Sequence, residues 1–150
     1  MKIPLALVLV GIAACGDDPA APGNLCGSVP LPLSAAAAGP VVVDVGLEVQ
    51  STGIVAVATA TDPQGSANFG NVLQTIQVFP DQNCAGAPIT IQDDLVGSGI
   101  EETFGTVVDA SVNLALYSTI AAASAWPVRV DFQDLDGNHT TGRVLAKIRR

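Results

Sequence analysis

Asp131, Asp134, Asp136 and Asn138 fall within eight residues near the C-terminus, and oxygen-bearing side chains of this kind are what calcium takes as ligands. Gly137, however, stands between Asp136 and Asn138, an order foreign to an EF-hand loop. A tight turn at Asp136-Gly137-Asn138 explains the same residues without any ion. A calcium site, with Asp62 as an added ligand from another loop, is therefore kept as an alternative, and no metal ligand is assigned. The only histidine, His139, adjoins this turn, and no spacing pairs it with an activated serine or cysteine. One histidine and two cysteines that pair with each other leave no zinc ligand set with an open position. The carboxylate pairs Asp93-Asp94 and Glu101-Glu102 suit glycoside hydrolysis by type, but neighbours along a strand point to opposite faces. No catalytic residue and no cofactor is expected. Sugar binding needs an exposed aromatic platform, for which Trp126 and Phe69 are the candidates. A carbohydrate-binding module is thus a second alternative, which an exposed Trp126 would favour and a buried one would remove.

The elements that would position these residues read as strands from Val41 onward. Val41, Val43, Val45, Leu47 and Val49 alternate with Val42, Asp44, Gly46, Glu48 and Gln50, which predicts a strand with one apolar row. GIVAVATATD reads as a buried strand ending at the turn Asp62-Pro63-Gln64-Gly65. The loop TDPQGSANFGN leads to NVLQTIQVF, with Ile76 and Val78 inward. The turn PDQNCAGAP leads to APITIQ, then IEETFGTVV and SVNLAL. LALYSTIAAASAW places Tyr117, Ile120, Ala121 and Ser124 on one helical face, with Pro127 as the stop. Val128, Val130 and Phe132, then Val144, Ala146 and Ile148, form the inward rows of a terminal hairpin.

Ahead of these strands, the apolar run from Ile3 to Ala14 follows Lys2. As a helix it would rise roughly 18 Å, short of the ~30 Å hydrocarbon core of a bilayer. A positive residue, a short apolar run and small residues at its end have the arrangement of an export signal. Ile12-Ala13-Ala14-Cys15 resembles the lipobox of bacterial lipoproteins, which implies that residues 1–14 are a signal peptide. It also implies that Cys15 receives the lipid, palmitate among its chains, and becomes the mature N-terminus. Several acyl chains hold a protein stably on a membrane where one does not. Gly16, in place of the aspartate that resembles an inner-membrane retention signal, favours the outer membrane. With Cys15 lipidated in an oxidising compartment, Cys26 and Cys84 remain as an even pair, expected to form a disulfide. Residues 15–40 are rich in Pro, Ala and Gly and read as a tether, leaving 41–150 as the domain.

VATATDPQG and VRVDFQDLDGNHTTGRVLAKI resemble bacterial immunoglobulin-like domains of envelope and adhesion proteins. The fold implied is an all-β, antiparallel sandwich of about 7–8 strands with one short helical crossover. The expected inventory of function follows from charge as well. Once Lys2 leaves with the signal, five basic residues face fourteen acidic ones, a balance that repels nucleic acid. Arg143, Lys147, Arg149 and Arg150 crowd into the last eight residues. They read as solvated strand edges and a chain end, with docking to an acidic envelope partner as the sharper alternative. The expected protein is a non-enzymatic, lipid-anchored envelope component with a structural or protein-binding role. Its partners would be the membrane, through the N-terminal lipid, and another envelope protein. The loops TDPQGSANFGN and PDQNCAGAP are where recognition would sit.

Overall fold

The computed structural model describes residues 25–70, 72–94 and 101–150. The expected signal peptide and Cys15, the expected lipid attachment site, lie outside the described residues. The rest is dominated by strands: β1 (Leu33–Ser34), β2 (Val41–Gln50), β3 (Gly53–Thr61), β4 (Leu73–Val78), β5 (Ile89–Asp94) and β6 (Glu101–Asp109). The helix α1 (Leu114–Ala122) follows, then β7 (Ala125–Gln133) and β8 (His139–Arg149). The hydrogen-bonded order is β5-β4-β7-β8-β2-β3-β6, with β1 added to β2. The path curls until its two edges, β5 and β6, approach each other, so the sheet is nearly a closed barrel. Phe104 of β6 and Phe132 of β7 stack across the interior with centroids 5.9 Å apart.

The all-β expectation holds, but the assembly is not purely antiparallel. Gly46–Glu48 of β2 run parallel to Lys147–Arg149 of β8. The curl brings the first and last long strands side by side, and both run from the same end of the domain. The apolar row of β2 also needs correction. Val42, Val45 and Leu47 are fully buried while Val43 is 42% exposed, because the register with β3 slips between Val42 and Asp44. A bulge adds one residue, and one residue inverts the facing of everything before it.

The terminal hairpin follows its alternation, with Val128, Val130, Phe132, Val144 and Ala146 fully buried. SVNLAL is not a strand. Asn113 caps the helix instead, its Oδ1 accepting from Leu116 N at 3.1 Å, a task for which asparagine is well suited. Pro127 does not end the helix either. It lies inside β7 opposite Leu145, at a level where the ladder to β4 has already stopped at Val128, so its missing N–H breaks no bond to that strand.

From Leu25 the Pro/Ala/Gly-rich stretch lies on the sheet as a strap. Val29 bridges Val144 of β8, and Leu33 and Ser34 pair with Val42 and Val41 of β2. The strap fills the gap where β2 and β8 splay apart, and Leu31 and Leu33 pack on the core there. Gly142 makes room: a Cβ at that position would come within 2.9 Å of Leu33 Cδ2.

Candidate functional site

The domain has two distinct ends. At one, the β3–β4 loop, the β7–β8 turn and the segment 35–40 leading into β2 come together. Asp62 accepts from Gln64 N through Oδ1 (2.7 Å) and its carbonyl accepts from Gly65 N (3.0 Å), which sets the predicted turn. Phe69 then roots the loop in the core, fully buried. The β7–β8 turn is built around Asp134, which is 1% exposed. Its Oδ1 accepts from Asn138 N (2.8 Å) and its Oδ2 from Asn138 Nδ2 (2.7 Å), while its carbonyl accepts from Gly137 N (3.1 Å). Gly137 has φ +82°, the left-handed region where glycine meets no steric cost. Leu135 N donates to Asn68 O at 2.8 Å and locks turn to loop. The buried Thr140 hydroxyl accepts from Ala35 N (3.2 Å) and donates to Pro40 O (2.6 Å), holding the third segment.

One residue that the sequence reading passed over organises this end. Gln74 is fully buried, and its amide behaves as a strand partner to the backbone of Gln133. Nε2 donates to Gln133 O at 2.8 Å and Oε1 accepts from Gln133 N at 2.8 Å. Gln74 shares its parity with Ile76 and Val78, so the signal available was a polar residue in an inward row.

The calcium alternative does not assemble. Asp131 lies away from the cluster, facing His139 with Oδ1 3.0 Å from Nδ1, and both oxygens of Asp134 are taken by Asn138. The Gln64 amide sits between loop and segment 35–40. Its nitrogen donates to Ala38 O (2.7 Å) and Asp62 Oδ1 (2.8 Å) in the orientation that satisfies both. Amide hydrogens thus occupy the space beside Asp62. Among the described residues no three acidic, histidine or cysteine side chains converge on one point. The sugar platform fails as well. Trp126 is 1% exposed, and its Nε1 donates to Phe79 O at 2.9 Å. Among the described residues, this end exposes the aliphatic side chains of Leu73 (57%) and Leu135 (55%), among hydrogen-bonded polar loops.

The opposite end carries the β4–β5 loop, the β2–β3 turn and α1. Cys84 in that loop lies at disulfide distance from Cys26 of the strap, with Cα atoms 5.9 Å apart, inside the range a disulfide spans. Arg143 Nη1 donates to Cys26 O at 3.1 Å, and its guanidinium rests 5.6 Å from the Phe79 ring centroid. Asp93-Asp94 and Glu101-Glu102 belong to the first end instead: Asp94 and Asp93 lie opposite Leu73 and Gln74 at the start of β4, and Glu101 and Glu102 opposite Thr59 and Ala58 near the end of β3.

The C-terminal basic residues, which sit on strand β8 and the chain end that follows it, make contacts within the domain while Lys147 and Arg150 stay exposed. Lys147 Nζ lies 2.9 Å from Asp44 Oδ1, and Arg149 reaches Asp44 (2.6 Å) and Glu48 (3.4 Å). Arg150 donates to the carbonyls of Ala121 and Ala123 at the end of α1, where a cation is favoured. Burial pushes the Asp44 carboxyl up, but the hydrogen bonds and charges of Lys147 and Arg149 outweigh it and hold it below its ordinary 3.8. An open groove of about 640 Å³ lies beside this pair, between strap and sheet, walled by Val29, Pro30, Leu31, Val43 and Leu145.

No family model matches the chain, and no curated protein or solved structure matches it.

Proposed function

We propose that the chain is a lipid-anchored protein of the bacterial cell envelope, held at the outer membrane through Cys15. Its β-domain binds another envelope protein, without catalysis, at the end formed by residues 35–40, 62–70, 72–73 and 134–138. The observation that carries this reading is the polarity of the domain. The strap meets Cys84 in the loop after β4, whereas the recognition loops precede β4 and follow β7, at the other end of those strands. A lipid attached upstream of Cys26 therefore leaves that loop end facing outward, with Leu73 and Leu135 as apolar anchors in a polar surround. Such an arrangement suits protein recognition, in which a few large side chains carry most of the affinity.

The same reading takes the domain as an immunoglobulin-like sandwich folded over at the three-pair β2–β8 ladder. Lettered in chain order A, B, C, C′, E, F and G, strands β2 to β8 divide into A-B-E and G-F-C-C′ halves. Phe104 and Phe132 meet between them. This strand order and the interior ring contact support the sandwich.

Two experiments test the proposal. Cys15→Ser should abolish acylation and shift the chain from the detergent phase to unprocessed or soluble material; normal processing and fractionation would refute the anchor. A photo-crosslinker at Leu135 should capture a specific envelope protein in intact cells, and one at Thr90, on the side of the sheet, should not. Equal capture from both positions would refute the loop end as the recognition surface.

A further inference from the structure

The helix α1 closes the strap end of the domain and buries Leu116 and Ile120. Its outer side is what needs explaining. Leu114 is 64% exposed and Val112, just before the cap, is 83% exposed; Ala115, Ser118, Thr119 and Ala122 are also exposed. No charged residue occurs between Asp109 and Arg129. A helix on the surface of a globular protein ordinarily carries charged or polar residues on its outer face, and this one presents no charge there.

We infer that this face, led by Val112 and Leu114, lies against the lipid surface to which the chain is anchored. The inference rests on the lipid-anchor reading and adds to it the orientation of the domain. Its occupant follows from where the leash ends. The described chain begins at Leu25, and Cys26 meets Cys84 in the β4–β5 loop, whose residues Pro80–Asn83 border Thr119 and Ala122 of α1 and Ala123 just after it. Cys15 is eleven residues before Cys26, so the lipid lies within about 36–40 Å of that fastening at ~3.3–3.6 Å per residue. The leash thus joins the domain at the end that carries the uncharged face. Arg150, exposed and hydrogen-bonded to the last carbonyls of α1, stands at its rim, where guanidinium groups meet headgroup phosphates. The neighbouring acids are turned into their own loops: Asp81 Oδ1 accepts from Asn83 N and Ala85 N, and Asp109 Oδ1 from Ser111 N and Oγ. Apolar side chains on such a face enter the boundary between headgroups and acyl chains by ~5–10 Å.

The test uses the full lipidated chain, with a fluorescent thiol label at Leu114→Cys or Asp136→Cys. Each is reconstituted in vesicles of phosphatidylethanolamine and phosphatidylglycerol. Lipid-borne nitroxides should quench position 114 by about twofold or more and leave 136 unchanged, and iodide should quench 136 while 114 is shielded. If 114 is as open to iodide as 136 on vesicles, the inference is overturned. If 114 is shielded from iodide yet untouched by the nitroxides, the cover is protein and the lipid occupant is overturned. Intact mass and vesicle flotation of the same preparations separate the two readings. An acylated chain that floats but leaves 114 open refutes only the orientation, and an unacylated chain that does not float refutes the anchor and the orientation together.

Discussion

Replacing Gln74 with leucine removes a side chain that substitutes for a strand. The swap keeps the volume roughly constant, so no large cavity is introduced. What it removes is the pair of 2.8 Å bonds that satisfy the N–H and the carbonyl of Gln133. A buried backbone group left without a partner costs about 1–3 kcal/mol. Gln133 is half-buried, and water reaching it offsets part of that, so the net loss expected for two groups is about 2–4 kcal/mol. With roughly 0.26 kcal/mol/K of unfolding entropy for a domain of this length, the melting temperature should fall by about 8–15 °C. Urea unfolding followed by the fluorescence of Trp126, the only tryptophan, should show a lower midpoint at unchanged slope. Gln74→Glu keeps an acceptor for Gln133 N but, when ionised, sets a buried carboxylate against the Gln133 carbonyl, so at neutral pH it should be at least as destabilised as the leucine variant. A Gln74→Leu protein within about 0.5 kcal/mol of wild type would refute the view that this amide holds the start of the β7–β8 turn.

Three further outcomes follow from the same geometry. The Asp44 carboxyl titrates below its unfolded value of 3.8, so its contribution to stability is complete above that value and is lost as pH falls through the folded one; the stability gap between wild type and Asp44→Asn should therefore close on acidification. Millimolar calcium should leave the melting temperature unchanged, since Asp134 is saturated by Asn138; a rise of several degrees reversed by chelator would restore the metal reading. Reduction of Cys26–Cys84, separated by 58 residues, should destabilise the domain by up to roughly 4 kcal/mol in the chain-entropy model and open the strap to proteases, which peptide mapping with and without reductant will read.

Strand identity was legible wherever period two ran unbroken. In the β7–β8 hairpin every inward residue named from alternation is at least half-buried, because nothing shifts the register between Val128 and Phe132 or between Val144 and Ile148. The β2 row failed at Val43 because a bulge has no marker in a run of valines: Val-Val-Val reads equally well in either phase. Pro127 misled for a related reason, since a proline marks a break only where its N–H would have been used, and that depends on the length of β4. The loop end was half legible. Asp62-Pro63-Gln64-Gly65 and Asp136-Gly137-Asn138 announced turns, but what joins them are contacts of Asn68 with Leu135 and of Thr140 with Pro40, pairs separated by 67 and 100 residues that no local pattern encodes.

The strap connects these observations. Between Val41 and Val45 the edge of β2 does not meet β8, whose ladder begins only at Gly46–Lys147. A gap there would leave Val42 and Val144 under water, and residues 29–34 close it with one bridge to β8 and two pairs to β2. So few pairs make a weak seam, because a two-residue strand contributes little on its own. Tension on a leash entering at Leu25 would peel Val29 first and then Leu33, opening the core along its thinnest line. The Cys26–Cys84 pair precedes Val29 in the chain, so the load passes into the β4–β5 loop and from there into β4, a strand paired on both sides by β5 and β7. On the lipid-anchored reading, the cysteine pair thus stabilises the seam by diverting force from it, which gives a physical reason for its place at the start of the strap.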